Sequence, residues 1–242
     1  MNESPKQDTR HILEIETDAQ GTIVSRPNRF LTMVDIEGQE ERAHVHDPGR
    51  LKELLYPGNS VLLKGVDKPG RSTKWDVIAA KWRTRWILIH SGYHREISER
   101  ILRNRELNPF GKITQLKPEV VVGHSRLDYM AVVNGLKTGI EVKGCTLAID
   151  GKALFPDAPT TRGRKHLETL IEMKQNGMGA ALLVLIFRTD AQSFGPNKET
   201  DPLFSETFWK AVDTGVDVKP VVLEYEGNNI FYKGTIPLED PI

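Results

Sequence analysis

Two carboxylates and one lysine stand in a pair of short apolar runs that a turn separates. Residues 123–144 read GHSRLDYMAVVNGLKTGIEVKG, with Asp128 in the first run and Glu141 and Lys143 in the second. Alternate residues of a strand lie on the same side, so we expect the Lys143 ammonium beside the Glu141 carboxylate. One or two carboxylates are enough to hold Mg²⁺, which keeps several of its waters. The pattern therefore predicts a site for Mg²⁺ or Mn²⁺, with Lys143 orienting an attacking water.

The acid-x-Lys spacing alone is weak support for this chemistry. The same spacing recurs at 150–152, 172–174 and 217–219, where a paired surface charge is the simpler explanation. Context distinguishes Glu141, because it ends an apolar run that follows another run with its own carboxylate. Gly144, which has no Cβ, would also let a ligand approach the backbone closely. A catalytic metal site and a charged surface both stay open at this point.

A second group of polar residues opens a predicted helix. The segment FPDAPTTRGRKHLETL, residues 155–170, places a proline and two threonines before a helix over 160–175. Arg162, Lys165 and His166 share one face of its first turns, although cations there oppose the helix macrodipole. A bound phosphate would remove that conflict. We interpret this face as an anion site, and the alternative is a helix whose charges point to water.

The elements that must position these residues change in kind near residue 88. Before it, β-rich runs between Gly and Pro-Gly turns predict short strands, with one or two helical turns at 50–55. The strand count fits a five-stranded oligonucleotide/oligosaccharide-binding (OB) barrel. After it, helical periodicity alternates with strands such as the apolar run at 179–187. We therefore expect an OB-like barrel over 1–88 and an α/β domain over 89–242.

Composition places the chain among globular proteins and excludes several other classes. Of 242 residues, 38% are hydrophobic and 27% charged, and no apolar run is long enough for a transmembrane helix. The polar N-terminus does not resemble a secretory signal, and the single cysteine excludes an internal disulfide. We expect a cytoplasmic protein without a membrane partner. The 33 basic and 33 acidic residues balance, so nucleic-acid binding would depend on local charge, as in the basic stretch 61–85.

Several residues of the predicted barrel carry groups that could meet a nucleic acid. Lys81 and Arg83 alternate with Trp82 and Trp86, and aromatic rings on an OB face can stack on bases. Buried core tryptophans are the commoner case. Arg50 follows a Pro-Gly turn and could contact a phosphate or a structural carboxylate.

Two histidines on one predicted strand face, His44 and His46, raise the question of a transition-metal site. With no third histidine or cysteine nearby in the sequence, we interpret them as structural or surface residues. Cys145 is expected to be a small buried side chain without a catalytic partner.

Longer motifs resemble those of the sugar fermentation stimulation protein (SfsA) family. They are, in chain order, HVHDPGRLKELL, SRLDYM, IEVKGCTL and ALFPDAPTTRGRKHLETL. The resemblance implies an OB-like domain followed by a domain similar to PD-(D/E)xK nucleases, whose metal site combines a strand acid, an acid-x-lysine strand and a helix glutamate. Asp128 matches the first acid, and Glu141 and Lys143 match the second strand. On the helix Glu99 fits best, and Glu96 is the alternative.

The sequence departs from the expected patterns at two positions. Leu127 stands where the nuclease motif has the proline that names it, although that position is often degenerate. His46 stands where the family commonly has proline, which leaves the role of its loop open.

The motifs and the family resemblance together indicate two alternative functions. The first is a DNA-binding nuclease with Asp128, Glu141 and Glu99 as metal ligands and Lys143 positioning the water. The second is a non-catalytic DNA-binding regulator of sugar-utilisation genes with a vestigial acid cluster, which the family name favours. Either function is compatible with a homodimer. The expected DNA contacts are Arg50, Lys81, Arg83, Arg126, Arg162, Lys165 and His166.

Overall fold

The computed structural model describes residues 10–123 and 125–239, and its N-terminal part is almost entirely β-structure. Residues 1–9, 124 and 240–242 of the two expected domains lie outside this description. The strands that precede the first helix are β1 (His11–Glu14), β2 (Ala19–Asn28), β3 (Leu31–Ile36), β4 (Gln39–Val45), β5 (Ser60–Gly65), β6 (Trp75–Trp82) and β7 (Arg85–Leu88). In β5 the buried residues alternate with less buried ones, which is the pattern of a sheet with one face on a core.

Strands β2 to β6 close into a barrel. β2 pairs antiparallel with β3 and β5, β3 with β4, and β5 with β6, and a parallel pairing of β4 with β6 completes the circle. Ile23, Val34, Leu63 and Val77 are buried in its core at 0–1% exposure. Closure pairs the strand edges that would otherwise attract other chains. The predicted five-stranded OB barrel is thus confirmed.

The rest of the described chain alternates strands with helices. A 3₁₀ turn at Ser91–Tyr93 leads into α1 (His94–Arg103), β8 (Ile113–Val122), β9 (Ser125–Val133), β10 (Leu136–Cys145), β11 (Ala148–Ile149), β12 (Lys152–Phe155), α2 (Thr161–Gln175), β13 (Gly179–Ile186), β14 (Ser193–Pro196), α3 (Pro202–Asp213), β15 (Asp217–Glu226) and β16 (Asn229–Thr235). Thr160 and Asp201 cap α2 and α3, because each side-chain oxygen accepts a free N–H of the first turn. None of these described helices has the length and apolar character needed to cross a bilayer.

A mixed sheet forms the centre of the second domain and continues into the barrel. Its order is β7-β15-β13-β10-β9-β8, with β10, β13 and β15 parallel and β8, β9 and β10 antiparallel. β7 pairs with β6 of the barrel on one side and with β15 on the other. β16 pairs with β15, and β1 pairs with β16. β11, β12 and β14 form a separate small sheet.

Helices cover both faces of this mixed sheet. Ile97 and Ile101 of α1 share a core with Leu183 of β13 and with the barrel. Leu167 of α2 packs with Leu182 of β13 in a second core, which α3 also joins. β13 is therefore buried along its whole length, as its apolar sequence predicts. Strand β10 lies next to β13, and its Glu141 and Lys143 side chains contact His166 of α2.

One local feature differs from the sequence-based expectation, and another narrows it. Residues 19–28 form β2, which the sequence did not mark because Gly21 and Pro27 interrupt its β-pattern. Residues 51–55 form one helical turn and not two, because the Leu51 carbonyl accepts the N–H groups of Leu54 and Leu55. Leu51 itself takes a φ of 47°, which keeps the turn from extending toward residue 50 as a right-handed helix.

Candidate metal and nucleic-acid site

Asp128 and Glu141 come from neighbouring antiparallel strands. The register of β9 and β10 places Tyr129 opposite Ile140, so one step further Asp128 faces Glu141. At this point the backbone N–H of Val142 donates to Asp128 Oδ2 at 2.7 Å. Like charges directly opposite each other destabilise a strand pair unless something compensates them. The fold therefore brings two of the predicted acids together in a place that needs a counter-charge.

Glu141 is a buried carboxylate with one satisfied and one unsatisfied oxygen. The residue is only 2% exposed. Its Oε1 accepts hydrogen bonds from Lys143 Nζ, at 2.5 Å, and from His166 Nδ1. Its Oε2 is buried and has no hydrogen-bond partner among the described residues. Because a buried, unpaired carboxylate oxygen is costly, a cation at this position would stabilise the site.

The surroundings shift the pKa values of the two acids in opposite directions. Burial and the charge of Glu141 raise the pKa of Asp128 to about 6. Burial also acts to raise the pKa of Glu141, but hydrogen bonding from His166 and the charge of Lys143 outweigh it and lower that pKa. A divalent cation between the two carboxylates would favour the ionised form of both. The donor set and the unpaired oxygen thus fit a hard, oxygen-seeking metal ion.

The structure places His166 differently from Arg162 and Lys165, which share its predicted helix face. Arg162 and Lys165 are exposed on α2, as expected of phosphate contacts. His166 is only 6% exposed, and its ring points into the sheet to bond Glu141. Arg162 Nε lies 3.5 Å from His166 Nε2. His166 is therefore placed to hold the Glu141 carboxylate, and its burial does not favour the phosphate contact that the sequence predicts here.

The predicted helix glutamate does not join the two strand acids. The Glu99 carboxylate pairs with Arg103 at 2.7 Å, one turn further along α1, and Glu96 pairs with Arg100 in the same way. In residues 10–123 and 125–239, no group of three metal-ligating side chains contains Glu99. An arginine four residues later is a natural partner for a helix glutamate. The structure therefore brings together two of the three acids of the expected ligand set, and the part of Glu99 in that set stays a prediction.

Two cavities lie beside Asp128 and Lys143, and the larger one is formed where the two domains meet. One of about 240 Å³ lies beside Asp128 and includes Glu119, which the sequence did not single out. The other, of about 450 Å³, is lined by Lys143 and Arg162 of the second domain and by Gly49 of the barrel. Clefts of this size accommodate small ligands or parts of larger ones. A nucleic-acid strand that reached Lys143 would therefore contact both domains.

Two of the predicted DNA contacts, Arg50 and Arg126, line neither of these two cavities. Arg50 is exposed and lines a cavity of about 640 Å³ on the barrel. Arg126 is exposed on β9, and its Nη1 lies 3.9 Å from Glu119 Oε2. Among the described residues, neither Arg50 nor Arg126 forms a hydrogen bond or an ion pair with Asp128 or Glu141 that we observe.

Lys81 and Arg83 lie against the tryptophan rings of the β6–β7 hairpin. The Lys81 ammonium is 4.4 Å from the ring centre of Trp86, and the Arg83 guanidinium is 5.8 Å from that of Trp82. Arg188 lies 4.3 Å from the Trp82 ring. Both rings are partly buried against the hydrophobic core. Cations occupy positions over these rings, which fits a structural role better than stacking on bases.

The barrel carries a groove that the sequence did not reveal. This barrel groove, of about 710 Å³, is lined by Phe30, Arg42, His44 and Lys68 among others. Phe30 is 46% exposed, and its ring stacks on that of His44 at 6.5 Å between ring centres. An exposed aromatic ring among basic residues is typical of surfaces that bind single-stranded nucleic acid.

Another cluster lies next to the barrel groove. Among residues 10–123 and 125–239, one group of three side chains has its metal-ligating atoms within 4.8 Å of one another, namely His46, Asp76 and His90. In the sequence, His44 and His46 share a strand face, but no third histidine or cysteine lies near them along the chain. Asp76 and His90 come from β6 and from the segment after β7. The group is therefore a candidate metal site that the fold assembles.

Comparison with known families accounts for both domains. A family model described as the SfsA N-terminal OB domain matches residues 24–89, and one described as the sugar fermentation stimulation protein RE domain matches residues 92–229. The chain belongs to the sugar fermentation stimulation protein (SfsA) family. The resemblance seen in the sequence motifs is thereby confirmed.

Relatives match this family member along nearly their whole length. The sugar fermentation stimulation protein homolog of Methanococcoides burtonii is 45% identical over 233 residues, which is 94% of either chain. That of Thermotoga neapolitana is 43% identical and covers 93% of this chain and 97% of the relative. The structure of Pyrococcus furiosus SfsA in complex with Ca²⁺ matches with a TM-score of 0.86 at 26% identity, over 95% of this chain and 99% of that one.

Proposed function

We propose that this protein is a DNA-binding, metal-dependent nuclease whose reaction centre contains Asp128, Glu141 and Lys143. The proposal rests mainly on one observation about Glu141. Its Oε2 is buried without a hydrogen-bond partner among the described residues, and the Asp128 carboxylate lies next to it. Such a pair does not help the fold, because it combines like charges with an unpaired oxygen. Strongly perturbed acids in a cleft are typical of functional sites.

Each residue of the site would have its own role in phosphodiester hydrolysis. Asp128 and Glu141 would hold Mg²⁺ or Mn²⁺, and Lys143 would orient the attacking water and offset charge on the phosphate. When bound, the metal supplies positive charge against the scissile phosphate and acidifies a water beside it. His166 keeps the Glu141 carboxylate ionised and oriented. The Ca²⁺ of the Pyrococcus furiosus protein is a hard cation of the same oxygen-seeking kind.

Binding of DNA would draw on two surfaces. At the first turn of α2, the exposed Arg162 and the free N–H groups of the helix favour a phosphate. In the barrel groove, Phe30 offers a face for a base, while Arg42 and Lys68 offer charge for the backbone. The net charge of zero makes such local surfaces decisive, since the whole molecule has no excess charge to attract DNA.

A non-catalytic DNA-binding regulator is the second candidate function. The position of Glu99 favours it, because this glutamate pairs with Arg103 and one expected metal ligand is missing from the acid pair. The family name, which refers to sugar fermentation, also favours it. In this alternative the same basic and aromatic surfaces bind DNA and the acid pair does no chemistry.

An experiment that measures binding and cleavage separately decides between the two. Binding of labelled single- and double-stranded DNA and RNA is measured in EDTA, and cleavage of the same substrates in Mg²⁺ or Mn²⁺. A nuclease cleaves at least one substrate only with metal, and the Glu141→Gln variant binds that substrate but does not cleave it. Binding by the wild type without cleavage of any substrate would support the regulator. Absence of binding even at low salt would remove both functions.

A matched control is available elsewhere in the sheet. Asp217 on β15 also stands two residues before a lysine, Lys219, and pairs with it at 2.9 Å. Its side chain is 49% exposed, in contrast to the buried Glu141. Asp217→Asn should therefore leave cleavage unchanged, which shows that the buried acid and not the spacing matters.

A further inference from the structure

Three side chains from separate parts of the chain meet where the barrel joins the second domain. His46 directly follows β4, Asp76 lies near the start of β6, and His90 lies between β7 and the 3₁₀ turn that leads into α1. The parallel pairing of β4 with β6 places His44 opposite Asp76. The rings of His46 and His90 stack with their centres 4.0 Å apart. None of the acids of the proposed nuclease site takes part.

The separations between these groups are close to those of a metal-ligand shell. His46 Nε2 is 3.2 Å from Asp76 Oδ1, and His90 Nε2 is 3.9 Å from Asp76 Oδ2. In a tetrahedral site with bonds of about 2.0–2.1 Å, two ligand atoms are roughly 3.3–3.4 Å apart. Small side-chain movements would therefore let all three residues share one ion.

Asp76 is well supplied with partners, but two nitrogens of the cluster lack a hydrogen bond of good geometry. His46 Nε2 faces the Asp76 carboxylate, yet it is buried without a hydrogen bond of suitable geometry to any part of the chain that the structure describes. His90 Nδ1 is also buried without a partner there. A buried nitrogen without a hydrogen bond is unfavourable, because it has lost its contacts with water. An ion at His46 Nε2 would satisfy one of these nitrogens and would bind the Asp76 carboxylate at the same time.

Arg71 is the competitor of such an ion. Its guanidinium hydrogen-bonds both oxygens of Asp76. It belongs to the connection between β5 and β6, outside any strand, and lines the barrel groove. Because the guanidinium and a metal ion use the same negative charge, they should exclude or weaken each other.

We propose that His46, Asp76 and His90 bind a single transition-metal ion of the Zn²⁺ or Co²⁺ class. Two imidazoles and one carboxylate suit such ions, whereas Mg²⁺ and Ca²⁺ prefer oxygen ligands alone. The site therefore differs in its ion from the pair Asp128 and Glu141 and does not depend on the nuclease proposal. Three protein ligands leave a further position on the metal, and His46 itself lines the barrel groove. That position can take a water or a phosphate oxygen.

A metal titration tests the proposal. Tag-free full-length protein, dialysed against chelator, is titrated with Co²⁺ while the visible absorption that reports coordination geometry is recorded, and Zn²⁺ is then added to displace the Co²⁺. In a large excess of Mg²⁺, which keeps the oxygen-ligand site of Asp128 and Glu141 occupied, the wild type should bind one equivalent of Co²⁺, and a tenfold excess of Ca²⁺ should not displace it. His46→Ala and His90→Ala should each weaken Co²⁺ binding by at least about 100-fold, since even outer partners of metal ligands contribute 10–100-fold.

Three further variants test whether Co²⁺ binds at the proposed site and not elsewhere. His44→Ala removes the neighbouring histidine and Glu141→Gln removes an acid of the other site, so both should bind Co²⁺ like the wild type. Arg71→Ala should bind it more tightly, because the competitor is gone. Thermal unfolding in EDTA shows which variants are folded, and the partly exposed His46 is the safest substitution in this respect. Absence of Co²⁺ binding by the wild type, or equal losses in His44→Ala and His46→Ala, would overturn the proposal.

Discussion

His166 on α2 hydrogen-bonds the same Glu141 oxygen that Lys143 contacts from β10. One oxygen of the carboxylate is thus held by a helix and a strand, while the other is buried without a partner among the described residues. Partners of this kind fix the direction of a metal ligand and keep it ionised. The orientation of Glu141 therefore depends on α2 as much as on its own strand.

Replacing His166 should reduce catalysis without reducing DNA binding. His166→Ala leaves Glu141 with Lys143 as its remaining partner, so we expect Mn²⁺-dependent cleavage to fall by about 10–100-fold. DNA affinity in EDTA should change by less than about twofold. Thr169→Val is the matched control, because Thr169 lies one turn further along the same buried face and bonds Ser125 instead. An equal loss of DNA binding and cleavage in His166→Ala would restore the phosphate contact that the sequence predicted.

Replacing Asp128 should stabilise the metal-free protein at neutral pH. The pKa of Asp128 is raised from 3.8 to about 6, so between these values the folded protein keeps a proton that the unfolded chain has lost. Its contribution to stability is therefore lost as pH rises from about 4 to about 6, and stays lost above. Asp128→Asn removes this penalty and keeps an oxygen for the N–H of Val142. In EDTA at about pH 7.5, the free energy of unfolding should rise by on the order of 1–3 kcal/mol.

Two comparisons check the origin of this effect. The difference between Asp128→Asn and the wild type, measured by urea unfolding, should shrink toward zero as pH falls below about 4. Mn²⁺ should stabilise the wild type and have little effect on the variant, because the ion needs both carboxylates. A variant that is less stable than the wild type at every pH would show that Asp128 is a structural residue.

Removing the cation at the start of α2 should weaken DNA binding without sequence preference. Arg162→Ala should lower affinity and reduce the slope of log affinity against log salt by about 1, as expected for one lost phosphate contact. Lys174→Ala removes a cation from the last turn of the same helix, where a phosphate is not favoured, and should leave the slope unchanged. Equal slopes for Arg162→Ala and the wild type would place the phosphate elsewhere.

The barrel groove should prefer single strands. Phe30→Ala should weaken binding of single-stranded DNA by about 1–3 kcal/mol through lost stacking, and should affect a duplex much less. Leu203→Ala on α3 is a control for loss of an exposed apolar side chain, since Leu203 is 55% exposed. Equal affinities of Phe30→Ala and wild type for single strands, measured by fluorescence anisotropy, would remove this groove from the DNA path.

The strand residues of the site could be predicted from the sequence because their relation is local. Asp128 and Glu141 belong to one hairpin, and the period of two places Lys143 beside Glu141. The barrel was also predictable, since its turns and alternating runs follow one another along the chain. β2 was missed because Gly21 and Pro27 mask its pattern.

Contacts that depend on packing could not be predicted. The sequence shows that His166 and Arg162 share a helix face, but only the packing of α2 on the sheet shows that His166 points inward. Glu99 fits the family pattern, yet its pairing with Arg103 depends on the direction in which α1 presents it. The meeting of His46 and His90 depends on barrel closure, which a local pattern does not encode.

The central claim is that the buried carboxylate Glu141 supports metal-dependent cleavage of DNA. The most direct test is the single-turnover rate of cleavage of labelled DNA in Mn²⁺, compared between wild type, Glu141→Gln and Asp217→Asn. We predict that the wild type and Asp217→Asn cleave at the same rate and that Glu141→Gln is slower by more than about 100-fold. Equal rates for Glu141→Gln and the wild type, or no cleavage by the wild type in either Mn²⁺ or Mg²⁺, would contradict the claim.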